Sequence, residues 1–459
     1  MPQLNPFMFR EYDIRGIVEK DLTKETVELI GKALAAHALK QKIKEAVIGR
    51  DNRPSSDWVF DSLKEGMLST GMNVIDLGLV PIPAFYYVLE KQKRNFGAMI
   101  TGSHNPKEFN GFKVSLHNHC IFGKEIQKIR QLCEKGKFPK GKGKETRYER
   151  ALQDYQEMIL EKIQLNRNKK LKVVLDCGNG TASVIAPSLF KALGIELVEL
   201  YCTSDGSFPN HVPDPVVPQH LQGLIEKVKQ EKADLGIALD GDVDRIGVID
   251  EKGGIIWGDM LMILFSRELL KKKPKQKILV EVKCSQAVID DIKAHNGIPL
   301  LCATGHSLIE ARMVKEKALL AGEMSGHFFF ADEYFGYDDA MYAAGRLFRL
   351  LSNSPQSLSS LLSDAPKYFS SPEIRAECPD KEKKRIVAEI KKYFKQKYEV
   401  IEIDGARVLF KEGWGLVRAS NTQPVLVLRF EGKTQKALEE IKSEFREKLK
   451  EFPELKADF

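Results

Sequence analysis

Ala46-Val47-Ile48-Gly49 runs into the polar loop Arg50-Asp51-Asn52-Arg53-Pro54, then a helical stretch through Trp58 and Met67, then Asn73-Val74-Ile75-Asp76-Leu77. The same order returns twice. Val173-Val174-Leu175-Asp176 leads into Cys177-Gly178-Asn179-Gly180, a helix through Phe190, and Leu197-Val198-Glu199-Leu200. Ile278-Leu279-Val280-Glu281-Val282 leads into Lys283-Cys284-Ser285, a helix, and Pro299-Leu300-Leu301. Short apolar runs alternating with helical stretches are the pattern of parallel βαβ units. Three α/β domains on one plan are expected.

Beyond them the pattern changes. Arg385 to Lys395 reads as an amphipathic helix, and Val400-Ile401-Glu402-Ile403, Asp404-Gly405, Ala406-Arg407-Val408-Leu409-Phe410 reads as a hairpin, since Asp-Gly suits a two-residue primed turn. An apolar strand, Val425 to Phe430, and a charged helix, Thr434 to Leu449, follow. Strands bracketed by helices without βαβ order predict a small α+β fourth domain, with the Ser/Pro-containing stretch Ser352 to Ser371 as linker. A length of 459 residues agrees, at roughly 100–200 residues per domain.

Composition narrows the function classes. Apolar residues at 43% and charged residues at 29% exclude a disordered or fibrous chain. The 71 Lys and Arg exceed the 64 Asp and Glu by 7, a mild bias over this length, and the basic stretches Lys271 to Lys275 and Lys135 to Arg147 read as solvated loops or helix ends. No nucleic-acid partner is expected. Seven cysteines, an odd number with no CxxC pair, point to reduced thiols in a cytoplasm and to no local zinc knuckle. Met1 to Arg10 lacks the order of a secretory signal, and the best apolar run, around Met260 to Phe265, falls far short of the ~18–20 residues that span a bilayer. A soluble cytoplasmic protein without a membrane partner is expected.

The apolar run Leu235 to Leu239 opens into Asp240-Gly241-Asp242-Val243-Asp244-Arg245. Three carboxylates at alternate positions where a strand ends can curl around one hard divalent cation, Mg²⁺ first, whose charge offsets their repulsion. A calcium loop is the rival, because Glu251 also falls in register; Arg245 stands where its sharp bend needs glycine, and the flanks read as strands.

Thr101-Gly102-Ser103-His104-Asn105-Pro106 follows the apolar Ala98-Met99-Ile100 and places a serine in a tight loop at a strand end, as a nucleophile or phosphate carrier requires. A Ser/His/Asp hydrolase is disfavoured, since neighbouring side chains in an extended loop diverge and no GxSxG elbow is present. Thr304-Gly305-His306-Ser307 and Gly322-Glu323-Met324-Ser325-Gly326-His327 offer hydroxyls, a carboxylate and imidazoles to sugar hydroxyls or protons. Arg418-Ala419-Ser420-Asn421-Thr422 suits a phosphate dianion, or a capped turn before Val425.

In this order the loops resemble the α-D-phosphohexomutase superfamily, in its bacterial phosphomannomutase/phosphoglucomutase branch, from Phe9-Arg10-Glu11-Tyr12-Asp13-Ile14-Arg15-Gly16 to Leu428-Arg429-Phe430-Glu431-Gly432. The resemblance implies three related α/β domains and a smaller C-terminal α+β domain around a central cleft. The boundaries expected are 1–149 for the phosphoserine-loop domain, 150–253 for the metal-binding domain, 254–366 for the sugar-binding domain and 367–459 for the phosphate-binding domain. It also implies that Ser103 carries the phosphoryl group, that Asp240, Asp242 and Asp244 hold Mg²⁺ with the Ser103 phosphate, and that Arg15, Lys113 and Arg245 lie nearby. By the same resemblance Glu323 and Ser325 contact sugar hydroxyls, His306 and His327 are candidates for proton transfer, and Tyr12, Lys283, Arg418, Ser420, Asn421 and Thr422 hold the substrate.

The implied reaction moves a phosphoryl group between the 1- and 6-positions of a hexose phosphate through a hexose 1,6-bisphosphate, in a monomer or weak homo-oligomer. Met324 and Ser420-Asn421-Thr422 lean toward mannose and glucose; the phosphoglucosamine branch typically has Gln at the first position and a Gly-containing phosphate loop. Ala303 and Glu310 stand where relatives often carry basic residues. The alternatives are a phosphoglucosamine mutase, a metal-dependent phosphatase with Asp240 as nucleophile, and a non-catalytic Ca²⁺ or sugar-phosphate binding protein.

Overall fold

The apolar runs of the three strand-loop-helix-strand stretches become strands in the computed structural model, which describes residues 4–117, 119–421 and 423–455, while the run Met260 to Phe265 lies inside the helix Gly258–Lys272. The described chain falls into two compact units, Met1–Gly258 with Ser325–Ser363, and Asp259–Met324 with Asp364–Phe459.

In the first unit, Glu45–Arg50 pairs in parallel with Asn73–Leu79 on one side and Phe96–Ile100 on the other, and Asn73–Leu79 also pairs in parallel with Glu145–Arg147. Phe109–Leu116 runs back along Phe96–Ile100, and Ile14–Ile17 lies antiparallel to it at the sheet's edge. This antiparallel return brings Lys113 alongside Met99, close to the loop that follows Ile100. A second sheet has the order Ile255–Ile256, Ile246–Asp250, Leu235–Leu239, Lys172–Asp176, Glu196–Leu200. Its central strand, Leu235–Leu239, is parallel to Lys172–Asp176 and antiparallel to Ile246–Asp250. The Asp240 loop is therefore a strand-to-strand return, with none of the flanking helices of a calcium loop.

Two helices cover one face of the first sheet. Thr23 caps Lys24–Lys40 by accepting from the Thr26 N–H, and this helix crosses Ser56–Leu68 over the core formed by Val27, Ile30, Leu34, Val59, Leu63 and Met67. At the crossing the backbones touch. A Cβ on Gly31 would stand 2.3 Å from the Leu63 carbonyl oxygen, and one on Gly66 would stand 2.2 Å from that of Glu28.

In the second unit, Lys277–Glu281 pairs in parallel with Ile298–Cys302 and Leu320–Gly322. The tail forms an antiparallel sheet in which Val425–Gly432 pairs with Gly413–Ala419, and Gly413–Ala419 with Ala406–Phe410. Helices Lys383–Phe394 and Gln435–Leu449 close its core around Phe394, Phe430 and Phe445, with Thr434 serving as a cap on the second helix.

Two expectations change in detail. The Asp404-Gly405 connection is longer than a two-residue turn: Glu399–Ile401 and Ala406–Phe410 are separated by residues 402–405, because Asp404 is drawn aside to accept from Arg418. The stretch expected as a linker is partly built, with a short helix Leu358–Leu361 tied to Glu251 through the Ser359 N–H and hydroxyl, and a strand Phe369–Ser370 paired to Val425–Gly432.

Alanine raises helix propensity over glycine by about 1 kcal/mol, yet overfilling a closed contact costs about 1–3 kcal/mol. Gly31→Ala is thus expected to lower the urea midpoint at unchanged slope, a net loss of up to about 2 kcal/mol. A raised midpoint would contradict the crossing described.

Candidate active site

After Phe96–Ile100 the chain turns sharply, and Ser103 takes φ +51°, a left-handed value that residues other than glycine seldom adopt. The turn is held from within: the Ser103 N–H donates to Thr101 Oγ1 at 2.8 Å, and Thr101 Oγ1 donates to Asp242 Oδ2 at 3.1 Å. As a result the Ser103 hydroxyl, in a buried residue, donates to Asp240 Oδ2 at 3.1 Å. The same backbone twist corrects one expectation. Ser103 Oγ and His104 Nδ1 lie 3.0 Å apart, because a left-handed residue swings its side chain toward its neighbour instead of away.

Asp240 is fixed first in the carboxylate loop. Its Oδ1 accepts from the N–H groups of Val243, Asp244 and Arg245 at 2.9, 3.0 and 3.1 Å, a closure that forces Val243 to φ +74°. Gly241 lets the two loops meet, since a Cβ there would stand 2.3 Å from the Ser103 carbonyl oxygen. One oxygen each of Asp240, Asp242 and Asp244 then falls within a mutual 4.8 Å, all three residues buried.

Lys113 Nζ lies 2.9 Å from Asp242 Oδ2 and also pairs with Asp244 Oδ2. Burial opposes its charge, but Asp242, Asp244 and Asp338 outweigh burial and hold its pKa well above the usual lysine value. Asp244 lies well below the carboxylate range: burial pushes it up, and Lys113 and His327 overcome that. Asp240 is pushed well above that range by burial and by the neighbouring Asp244 and Asp242.

His327 Nε2 lies 3.3 Å from Asp244 Oδ1 and 3.3 Å from Arg245 Nε, while its Nδ1 lies 3.0 Å from Ser325 Oγ. Asp338, buried 3.9 Å from the same imidazole nitrogen, accepts no hydrogen bond with either oxygen, and burial and Asp244 push it up to about 7. The cluster thus sets four carboxylates against the fixed cations Lys113 and Arg245. Asp242 Oδ1 is buried and accepts no hydrogen bond. An all-oxygen donor set whose buried carboxylates leave Asp242 Oδ1 and both Asp338 oxygens without a hydrogen bond fits a hard divalent cation.

Arg15 stands at the edge of this group. Its guanidinium pairs with Asp13 at 2.7 Å and donates to Asn105 Oδ1, in the serine loop, at 3.1 Å. Tyr12 is half-buried just ahead of the same strand.

The remaining expected residues belong to the second unit. Arg418, at the end of Gly413–Ala419, donates through Nε to Asp404 Oδ2 at 2.7 Å, and that oxygen also accepts from the Thr304 N–H at 3.1 Å. Thr304 Oγ1 donates to Glu281, which lies 3.7 Å from Lys283 Nζ, and Lys283 donates to Glu373 Oε2 at 2.8 Å. Burial works against the Lys283 charge, yet Glu281 and Glu373 raise its pKa above the usual lysine value. Glu323 Oε1 accepts from the Gly305 N–H at 2.8 Å, and buried His306 opens the helix His306–Glu316. Ser420 begins the turn into Val425, with Asn421 half-buried beside it. Lys383 Nζ grips the Ser420 and Gln423 carbonyls of that turn at 2.7 Å each. Thr422 lies outside the described residues.

The structure therefore joins Ser103, Lys113, Asp240, Asp242, Asp244, Arg245, Ser325 and His327 in one group within the first unit, and links Lys283 and Arg418 through a chain of contacts in the second. Thr101, Asp338, Asp404 and Lys383 were missed from the sequence. Only the Asp338-Asp339 pair carries a local signal there, as adjacent carboxylates ahead of an apolar helix.

Comparison with known proteins agrees with this geometry. Residues 6–140, 153–254 and 257–369 match the phosphoglucomutase/phosphomannomutase alpha/beta/alpha domains I, II and III, and residues 373–448 match that family's C-terminal domain. A phosphomannomutase/phosphoglucomutase of Pseudomonas syringae is 44% identical over 100% of this chain and 98% of its own. A phosphoglucomutase of Neisseria meningitidis serogroup A is 40% identical over 98% of each chain. The crystal structure of a phosphoglucomutase/phosphomannomutase family protein from Burkholderia thailandensis superposes with a TM-score of 0.91 at 37% identity, over 98% of each chain. Fold and site define an enzyme of the hexose-phosphate mutase class, an isomerase. The chain belongs to the phosphoglucomutase/phosphomannomutase family, in the bacterial branch of the α-D-phosphohexomutases.

Among the described residues, no helix is long and apolar enough to cross a membrane. If Asp242 Oδ1 is the open ligand, Asp242→Asn will weaken Mn²⁺ binding, measured by isothermal titration, on the order of tenfold or more, since affinity follows ligand charge. Unchanged affinity would place the cation elsewhere.

Proposed function

We propose that this chain moves a phosphoryl group reversibly between the 1- and 6-positions of mannose or glucose phosphates, through phosphorylated Ser103 and a hexose 1,6-bisphosphate. The observation that carries the reading is the Ser103 hydroxyl, buried against Asp240 Oδ2 at 3.1 Å within a carboxylate cluster. A hydroxyl there esterifies into a site whose neighbours answer the charge of a phosphoryl group.

Asp240, Asp242, Asp244 and a phosphate oxygen on Ser103 would hold Mg²⁺, which when bound supplies Lewis-acid polarisation of the phosphoryl oxygens. In the forward half, the sugar hydroxyl oxygen forms a bond to phosphorus as the bond from phosphorus to Ser103 Oγ breaks. Lys113, locked in its charged form by three carboxylates, supports the serine oxygen and the carboxylates around it. Arg15 and Arg245 supply positive charge to the equatorial oxygens in this reading. His327, wedged between Asp244, Arg245 and Ser325, is the candidate in this unit for moving the sugar hydroxyl proton, and His306 is the candidate in the other. Glu323 and Ser325 bind sugar hydroxyls. Arg418, Ser420, Asn421 and Thr422 hold the phosphate that stays, and Tyr12 and Lys283 bind substrate. Arg418 suits that task because Asp404 occupies its Nε and fixes the plane of its fork.

The bisphosphate then reverses its orientation and returns the other phosphate to Ser103. The same reading assigns the work to four domains, 1–149, 150–253, 254–366 and 367–459, in a cytoplasmic monomer or weak homo-oligomer.

After incubation with glucose 1,6-bisphosphate, intact-mass spectrometry should show one phosphoryl group on the wild-type chain and none on Ser103→Ala, and the turnover of the variant should fall on the order of 10³-fold or more. A fully active Ser103→Ala would overturn the reading. Mannose 1-phosphate and glucose 1-phosphate should both turn over faster than glucosamine 1-phosphate; the reverse order would assign the glucosamine branch.

A further inference from the structure

Arg53 follows the strand Glu45–Arg50, and its side chain is 0% exposed. A guanidinium has five N–H donors, and here each has an acceptor. Nη2 donates to the carbonyls of Ser103 at 2.6 Å and Asn105 at 2.7 Å, and Nη1 to those of Pro106 at 2.7 Å and Phe109 at 3.1 Å. Nε donates to Asp51 Oδ2 at 3.0 Å, and that oxygen also accepts from the Gly102 N–H at 3.1 Å. The Phe208 ring covers the guanidinium at 5.2 Å. One side chain and its carboxylate thus hold the backbone from Gly102 to Phe109.

The hold matters because of what the loop is asked to do. Ser103 sits at φ +51°, a conformation that persists only where its surroundings over-determine it. A serine that alternates between a free hydroxyl and a phosphate dianion also changes its charge by two on every turnover. Without a fixed base the loop would relax in one state or the other, and the oxygen would leave its place at Asp240. With all five donors committed, Arg53 has none left for a phosphate oxygen, which separates it from Arg15 and Lys113.

We propose that Arg53 is a positioning residue for the mutase reaction: it clamps the Ser103 loop by its carbonyls and keeps the serine oxygen at the carboxylate cluster in both phosphorylation states. This rests on the phosphoryl transfer assigned to Ser103. Lysine keeps the charge but offers three tetrahedral donors in place of a planar fork, so it cannot span four carbonyls and Asp51 together.

The test uses the full chain, primed with glucose 1,6-bisphosphate, with glucose 1-phosphate as substrate. Arg53→Lys should lower kcat on the order of 100-fold, as misplacement of a reacting atom by about 1 Å does, and leave KM within about threefold. Asp51→Asn, which loosens the guanidinium without removing it, should give a smaller kcat loss with the same unchanged KM, and it decides the matter if Arg53→Lys does not fold. Amide exchange of residues 101–105 should quicken about tenfold or more in the variants while segments of the second unit stay unchanged. A kcat within twofold of wild type, or KM rising in step with the fall in kcat, would overturn the clamp. A wild-type chain that takes no phosphoryl group would instead refute the phosphoserine reading, while loop exchange would still report on the clamp separately.

Discussion

The site depends on one electrostatic problem: Asp240, Asp242 and Asp244 are buried together with one oxygen each inside a mutual 4.8 Å. Carboxylates so placed cannot all ionise without compensation, and the chain supplies part of it. Lys113 lies against two of them, three backbone N–H groups converge on Asp240, and His327 approaches Asp244. The remainder calls for a divalent ion. The Ser103 hydroxyl reaches into the same cluster and donates to Asp240.

Two strained residues mark where the fold is bent to make this possible. Ser103 and Val243 both hold positive φ, one on each of the facing loops, and Gly241 lets those loops touch. The scaffold beneath is regular: parallel strands end at the loops, and an antiparallel return carries Lys113 back beside them. In the second unit the same economy recurs, as Asp404 and Lys383 fix the guanidinium of Arg418 and the carbonyls of the following turn.

Much of this was legible because it is local in sequence. The three strand-loop-helix-strand stretches, the alternating aspartates and the serine turn each declare themselves within a few residues, and the structure forms strands where the apolar runs stand. What escaped depends on contacts between distant segments. Asp404 reads as half of an Asp-Gly turn, and only the approach of Arg418 and Thr304 draws it out of that role. Gly413-Trp414-Gly415-Leu416-Val417-Arg418-Ala419 has two glycines that lower strand propensity, yet pairing on both sides makes it a central strand. The convergence of Ser103 and His104 follows from one dihedral angle, which no local pattern announces.

The most direct measurement is a single turnover with enzyme carrying ³²P on Ser103, mixed with unlabelled glucose 6-phosphate in the presence of Mg²⁺ and quenched over time. The account predicts that label passes into glucose 1,6-bisphosphate and then into hexose monophosphate as fast as the enzyme turns over. Label that stays on the protein during turnover, or that appears directly as inorganic phosphate, would contradict it.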